Sequence, residues 1–331
     1  IEFISLGNTI KDRKLNIEIK NKSLSLDIDY LRDSWYHNSY LMDSEQTINN
    51  KSLERFNNYK NQPLKFKFPS NFNGEFPIIN FKKEIKAAVI REKGINSERE
   101  MAYMLNLCGF KVKDVHMTDL VSGRETLEGI NMIVFPGGFS NSDVLGSAKG
   151  WAGAFKFNEK AKKTIQDFYK RENTLSLGVC NGCQLMMELD LLYPNQKENH
   201  PKMEHNHSNK FECTFSSIDI LKSNSIMLRN LEGTSLGIWS AHGEGKFNLN
   251  KKKVNIAAKF HYSDYPGNPN GSDMSTAAIC SNDGRHLAIM PHLERSIFPW
   301  NWAHYPTERN DKISPWIIPF YNARKWLEKN G

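Results

Sequence analysis

The sequence predicts an α/β protein: a mainly parallel sheet flanked by helices on both faces, preceded by an N-terminal α+β tail and an extended linker. Three observations predict it. From Ile85 onward, short continuous apolar runs (IKAAVI, INMIVFPGG, LSLGV, HLAIMPH) have the length and composition of strands buried on both faces. Helix-length stretches with an apolar stripe separate several of these runs. The residues before Ile85 lack the continuous apolar runs, and so stand apart.

Taken in order, RKLNIEIKNKSLSLDI alternates apolar and polar residues and predicts short strands. DYLRDSWYHNSYLMDSEQ has helical spacing, with Leu31, Trp35 and Tyr36 on one side. These make a tail over 1–45. Residues 46–84 are rich in Asn, Lys and Phe with little period, and read as an extended linker that lays its aromatics on a surface. The main domain spans 85–331. IKAAVI opens it as a buried strand. Ser97-Glu98-Arg99-Glu100 fits a capping box for a helix EREMAYMLNLC that stops at Gly109. FKVKDVHM and INMIVFPGG are the next strands. AGAFKFNEKAKKTIQDFYKR supplies helical material, LSLGV a strand and GCQLMMELDLL a helix. FECTFSSIDIL and KKVNIAAKFHYSD predict antiparallel or edge strands, and HLAIMPH returns to a buried strand ending at His292.

The chain has 331 residues, 39% of them hydrophobic, enough for one large domain or two ordinary ones. No apolar run approaches the roughly 18–20 residues that span a bilayer. The first residues carry no initiator Met and no charged-then-apolar leader pattern, so they read as a piece of a longer chain rather than a signal peptide. Net charge is +7, yet the lysines are interleaved with Asn and Glu and runs such as Lys251-Lys252-Lys253 are short, which argues for a solvated basic surface and against a nucleic-acid partner. Five irregularly spaced cysteines do not resemble a secreted disulfide framework and favour a reducing cytoplasm. On that reading the glycosylation sequon at Asn206 is chance.

The chemistry concentrates in a few stretches. Gly178-Val179-Cys180-Asn181-Gly182 is a G-x-C-x-G between an apolar strand and a helix, the cysteine counterpart of a nucleophile elbow. The helix N-terminus behind the sulfur favours thiolate, and the Asn181 N–H is placed to donate to an oxyanion. Cys180 and Cys183 also form a C-x-x-C, so a redox pair, half a metal site, or two core cysteines stay open from spacing alone. A thiol nucleophile needs an oriented base. His292 and Glu294 supply one after a buried strand, where two residues of extended chain would put both side chains on one side. Pro136-Gly137-Gly138-Phe139-Ser140 ends another strand, and its glycines expose main-chain N–H groups suited to the second half of an oxyanion hole. His242 and Glu244, in SAHGEG, line a pocket or turn a hairpin. His200, His205, His207 and Cys213 fit no standard zinc spacing.

Together GVCNGCQLM, FPGGFSNSDVLGSAKGWA, SAHGEG, NPNGS, SNDGRHLAIMPHLERS and SPWIIPFYNARKW resemble the glutaminase domain of the phosphoribosylformylglycinamidine synthases. That domain belongs to the class I, or triad, glutamine amidotransferases, with a flavodoxin-like fold. The resemblance runs from about Lys86 to Trp326, and LRDSWYHNSYLMDSEQ resembles the last helix of the ATP-dependent synthetase portion of the long, single-chain form. It implies that Cys180 attacks the side-chain amide of glutamine, that His292 moves protons and that Glu294 orients His292. The N–H groups of Gly138 and Asn181 would form the oxyanion hole. Gln184, Ser140, Phe139, His242 and Glu244 would be substrate contacts, and Cys183 would only pack. The glutaminase would need no metal or cofactor; ATP and Mg2+ would belong to the synthetase, which would receive the ammonia in the fourth step of purine biosynthesis. Neither nucleic acid nor membrane is an implied partner. Leu293 stands where many relatives have Pro, and the segment around His205 departs from typical members. A folded docking module gated by its partner domain, and a γ-glutamyl hydrolase of the same fold, are the other readings.

Overall fold

A computed structural model describes residues 3–195, 200–250 and 253–331, so Lys251 and Lys252 of the basic run lie outside the described residues. In chain order the strands and helices are β1 (Lys14–Ile19), β2 (Lys22–Asp27), α1 (Ile28–Gln46), α2 (Lys51–Asn58), β3 (Lys86–Arg91), α3 (Glu98–Leu107), β4 (Lys111–His116), α4 (Met117–Ser122), β5 (Met132–Phe135), α5 (Lys149–Phe157), α6 (Glu159–Lys170), β6 (Leu175–Val179) and α7 (Asn181–Glu188). There follow β7 (Lys202–Glu204), β8 (Glu212–Ile220), β9 (Ser235–His242), β10 (Lys246–Asn248), β11 (Asn255–Phe260), β12 (Thr276–Cys280), β13 (His286–Ile289) and α8 (Ile317–Asn330).

One nine-stranded sheet organises the main domain, in the order β4-β3-β5-β6-β13-β12-β11-β8-β9. The strands from β4 to β13 pair in parallel. The strands from β12 to β9 extend the sheet antiparallel. Apolar patterning explains which strands are central: every residue of β5, β6 and β13 is buried, whereas edge strand β4 is mostly exposed. Helices α3 and α8 pack together, as do α4, α5, α6 and α7, and the two groups flank the sheet. Parallel strands that share a direction put their carboxyl ends at one edge, which is where an open α/β sheet gathers functional loops. Among the described residues no helix is long and apolar enough to cross a membrane.

The tail is a hairpin of β1 and β2 followed by α1. The helix forms where expected, but its apolar side is not packed: Leu31, Trp35 and Tyr36 are all exposed, and α1 buries no residue. The linker is not extended throughout. Residues 51–58 form α2, whose charged side chains face the domain. Arg55 bridges Asp43 (2.9 Å) and the buried Glu212 (2.6 Å), so a carboxylate of β8 selects the helix. Beyond α2 the linker does lay down its aromatics: Phe66 and Phe68 sit edge-on or tilted to Trp302, at 5.1 and 5.6 Å between ring centres. AGAFKFNEKAKKTIQDFYKR divides into two helices because Asn158 leaves helical geometry and caps α6 by accepting from the Ala161 N–H.

Ser97 does not cap α3. Its side chain makes no capping bond, so the expected capping box is absent; the hydroxyl is used elsewhere in the fold.

Replacing Phe68 by Ala removes an aromatic wedge from the Trp302–Tyr305 cluster and should cost about 2–3 kcal/mol. Urea unfolding of the variant against the parent chain measures it; an unchanged midpoint would mean that the linker is not part of the cooperative unit.

Candidate active site

Cys180 stands between β6 and α7 with φ 51° and ψ −109°. Two glycines permit this turn. A Cβ on Gly178 would lie 2.5 Å from the Gly182 carbonyl oxygen, and one on Gly182 would lie 1.9 Å from that of Phe135. The thiol is thereby placed over the first turn of α7, where the Asn181 N–H has no acceptor within the helix. Cys180 is 5% exposed, with Sγ 3.6 Å from the Ala241 carbonyl oxygen. Cys183 is fully buried one turn on, and burial followed by the neighbouring Cys180 pushes its thiol well above the usual range. All five cysteines are free. The C-x-x-C is therefore a reachable sulfur beside a packed one.

His292 and Glu294 do pair, with Nδ1 and Oε1 2.7 Å apart and both side chains at most 2% exposed. The local reason differs from the expected one: Leu293–Arg295 is a 3-10 turn, not extended chain. Main-chain bonds hold it. The His292 N–H donates to Trp239 O (2.7 Å), and the Ser296 hydroxyl donates to His292 O (3.1 Å). Burial alone would hold the imidazole neutral, but Glu294 first and then Cys180 favour the charged form, raising its pKa to about 10. Burial likewise opposes charge on Glu294, yet the imidazolium holds that carboxyl below its usual value. The pair is thus a buried imidazolium–carboxylate facing the Cys180 sulfur.

Gly137 and Gly138 lie against this pair. A Cβ on Gly137 would meet His292 Cε1 at 2.5 Å and Cys180 Cβ at 3.3 Å, so only glycine fits. Gly138 has φ 145° and its backbone runs beside Ile95. The sequence pointed to both glycines as exposed N–H groups, and the resemblance to Gly138 alone; that Gly137 leaves room for His292 is seen only in the structure.

The expected substrate contacts are joined to one another. The Ser140 N–H donates to Asn181 Oδ1 (3.2 Å), Asn181 Nδ2 to Gln184 Oε1 (3.0 Å) and Gln184 Nε2 to Glu244 O (2.8 Å). The Ser147 N–H then donates to Glu244 Oε1 (3.2 Å). A run of hydrogen bonds therefore ties the loop after Gly138 to α7 and to the turn after β9. Ser140 Oγ is buried without a partner. Phe139 is half exposed and packs on Phe211 at 5.9 Å. His242 points inward, its Nε2 3.2 Å from Asn270 Nδ2, and burial first, then His292, lowers its pKa to about 3. Asn206, the residue of the sequon, is buried and braces the same turn through His242 O and the Gly245 N–H.

A cavity of ≈ 810 Å3 opens beside the pair, walled in part by Tyr103, Trp239, Ala241, His292, Glu294 and Phe298. Cys180 is not among its walls. His205 and His207 are exposed while His200 is buried, and among the described residues no three His, Cys, Asp or Glu side chains converge as a metal site would require.

An elbow cysteine, a buried His-Glu pair and a glycine loop stand together at the carboxyl ends of the parallel strands of an α/β sheet. The profile of the family described as CobB/CobQ-like glutamine amidotransferase domain matches residues 84–327, and the chain belongs to that family. It is 40% identical over 98% of its length to "Probable phosphoribosylformylglycinamidine synthase, chloroplastic/mitochondrial" of Arabidopsis thaliana. It is 42% identical over 73% of its length to phosphoribosylformylglycinamidine synthase of Homo sapiens. The chain spans 25% and 20% of those two relatives. Among solved structures, a chain in the structure of PurLQS from Thermotoga maritima shares the fold, with TM-score 0.59 and 23% identity over 74% of this chain and 100% of that one.

The pair's effect on stability has a defined pH window. His292 is raised from 6.5 to about 10, so its contribution is full below 6.5 and is lost as pH rises through 10. Glu294 is lowered from 4.5, so its contribution is full above 4.5 and is lost as pH falls through its folded value. Thermal melts should therefore show the largest gap between the parent chain and Glu294→Gln near pH 5.5, narrowing toward pH 10. A gap that is constant across this range would contradict the charged pair.

Proposed function

We propose that this chain hydrolyses glutamine to glutamate and ammonia, and that it supplies the ammonia to a synthetase portion converting formylglycinamide ribonucleotide to formylglycinamidine ribonucleotide. One observation carries the hydrolytic reading: a strained elbow cysteine beside a buried imidazolium–carboxylate pair. Similarity to the two synthases, extending through the tail in the Arabidopsis relative, supports the wider assignment.

In the proposed mechanism the Cys180 proton rests on His292 as the imidazolium, and the thiolate attacks the amide carbon of glutamine. The carbonyl electrons move to oxygen, which the N–H groups of Gly138 and Asn181 receive. The tetrahedral species collapses, His292 protonates the departing nitrogen, and ammonia leaves a glutamyl thioester on Cys180. A water then attacks the thioester carbonyl, giving its proton to His292, and glutamate departs as the Cys180 thiolate is expelled, which restores the starting pair of thiolate and imidazolium. Glu294 keeps the ring oriented and favours the imidazolium at the start and end of the cycle. Gln184, Ser140, Phe139, His242 and Glu244 remain the proposed glutamine contacts, with Gln184 and Glu244 acting as a connected unit.

These steps use no metal or cofactor. ATP and Mg2+ we assign to the synthetase portion, for which residues 1–45 are the proposed tail and 46–84 the linker. Neither a nucleic acid nor a membrane is a proposed partner. The proposed compartment is the cytoplasm, where four buried thiols and one exposed one would stay reduced.

A gated state is the second reading. It is favoured by the near-closure of Cys180, at 5% exposure, with its expected substrate contacts bonded to one another. On this reading the fold is complete but turnover waits for the partner portion.

Cys180→Ser should lower glutamine hydrolysis about a thousandfold or more, whereas Cys183→Ser should stay within a few-fold of the parent. Coupled assay of glutamate release measures both, and a diazo-ketone glutamine analogue mapped by mass spectrometry locates the reactive sulfur. Adduct at Cys183 would overturn the assignment. Adduct at Cys180 with negligible turnover would select the gated reading.

A further inference from the structure

Ser97 is fully buried, and its hydroxyl, free of the expected capping role, accepts a hydrogen bond from the Gly137 N–H (2.8 Å). Around it the segment 94–97 runs antiparallel to 137–139. The Asn96 N–H donates to Gly137 O (3.1 Å), and the Phe139 N–H donates to Gly94 O (2.9 Å). The approach is backbone on backbone: a Cβ on Gly94 would lie 2.1 Å from Phe139 O, and one on Gly138 would lie 2.6 Å from Ile95 Cα.

These bonds determine a peptide orientation. In a trans peptide the carbonyl and the following N–H point in opposite directions. Gly137 O is held toward Asn96, so the Gly138 N–H points away from the 94–97 segment. It donates to no acceptor among the described hydrogen bonds. This peptide begins beside the site: a Cβ on Gly137 would meet the His292 ring at 2.5 Å and the Cys180 Cβ at 3.3 Å. A Gly-Gly peptide has no Cβ on either side to resist rotation, so the orientation needs an external lock. Ser97 pins the preceding peptide plane, Asn96 this one and Gly94 the following one. Arg295 adds a tie to the triad turn, its Nη2 donating to Asn96 O (3.0 Å) and Oδ1 (2.9 Å).

We infer that Ser97 is a positioning residue for this site: its buried hydroxyl, with the 94–97 segment, holds the Gly137–Gly138 peptide with the Gly138 N–H turned toward the reacting carbonyl. The inference rests on the glutaminase reading above. It also gives the loop after β3, where the sequence suggested only a helix cap, a place in the chemistry.

The test compares two labels of Cys180 on the same chain. A diazo-ketone glutamine analogue presents a carbonyl that must sit in the oxyanion cradle; iodoacetamide needs only the thiolate. Ser97→Ala should slow the first roughly 10- to 100-fold and leave the second within about twofold. Ser97→Thr, which keeps the acceptor, should restore the analogue rate. Equal rates for Ser97→Ala and the parent would overturn the inference, as would parallel loss of both labels or a Thr variant as slow as Ala, since those report packing. A parent chain labelled at Cys180 by iodoacetamide but not by the analogue would instead overturn the glutaminase reading itself.

Discussion

The backbone at Cys180, with φ 51° and ψ −109°, is a conformation that an L-residue holds only when its surroundings enforce it, at a cost on the order of 1–3 kcal/mol. Here the enforcement comes from three strands. The β6 register sets Gly178 opposite Phe135 of β5 and Val179 opposite Ile289 of β13. The Cys180 N–H then donates to Ile289 O (3.0 Å), the last bond before the chain turns. α7 must start at once, and it does so by pressing Gly182 onto the Phe135 carbonyl. A side chain at either glycine would push the helix off the sheet. The position of the sulfur, the free N–H of Asn181 and the burial of Cys183 all follow from that contact.

Charge at the site is a contest between burial and proximity. Desolvation is the largest influence on both His292 and Glu294 and acts against ionisation of each, yet the mutual attraction wins. A buried ion pair of this kind is weak support for a fold, because replacing it by apolar residues is often neutral. Its value is to keep an imidazolium next to the Cys180 sulfur. His242 shows the contrasting case: equally buried but facing Asn270 rather than a carboxylate, it is held neutral.

Much of this was legible in the sequence because it is local. G-x-C-x-G states its own sterics, continuous apolar runs identify central strands, and a His two residues before a Glu offers few geometries. What was not legible depends on contacts between distant segments. Ser97 has the sequence of a helix cap, and only the approach of Gly137 from 40 residues away explains why it is not one. The helix within the linker has an unremarkable composition, and the Arg55–Glu212 bond that seats it joins residues 157 apart. Leu31, Trp35 and Tyr36 have helical spacing, but periodicity cannot say whether a face is covered. Gln184, Ser140 and Glu244 were marked singly; that they bond into one run needs the loops in place.

The antiparallel half of the sheet supplies the other wall of the site, by a route that strand prediction does not reveal. In hydrogen-bonding order β9 is separated from β13 by β12, β11 and β8. Even so, Trp239 of β9 forms a bridge with His292, just beyond β13. A flat sheet would hold these two strands well apart, at roughly 4.8 Å for each step between neighbours. The bridge therefore requires the antiparallel strands to curl back on themselves at this end. That curl carries Ala241 O to the Cys180 sulfur and Glu244 O to the Gln184 amide. The parallel half presents Cys180, His292 and the glycine loop on one line of strand ends, and the curled half closes over them. Burial of Cys180 and the joined contacts around Gln184 are consequences of one sheet meeting itself.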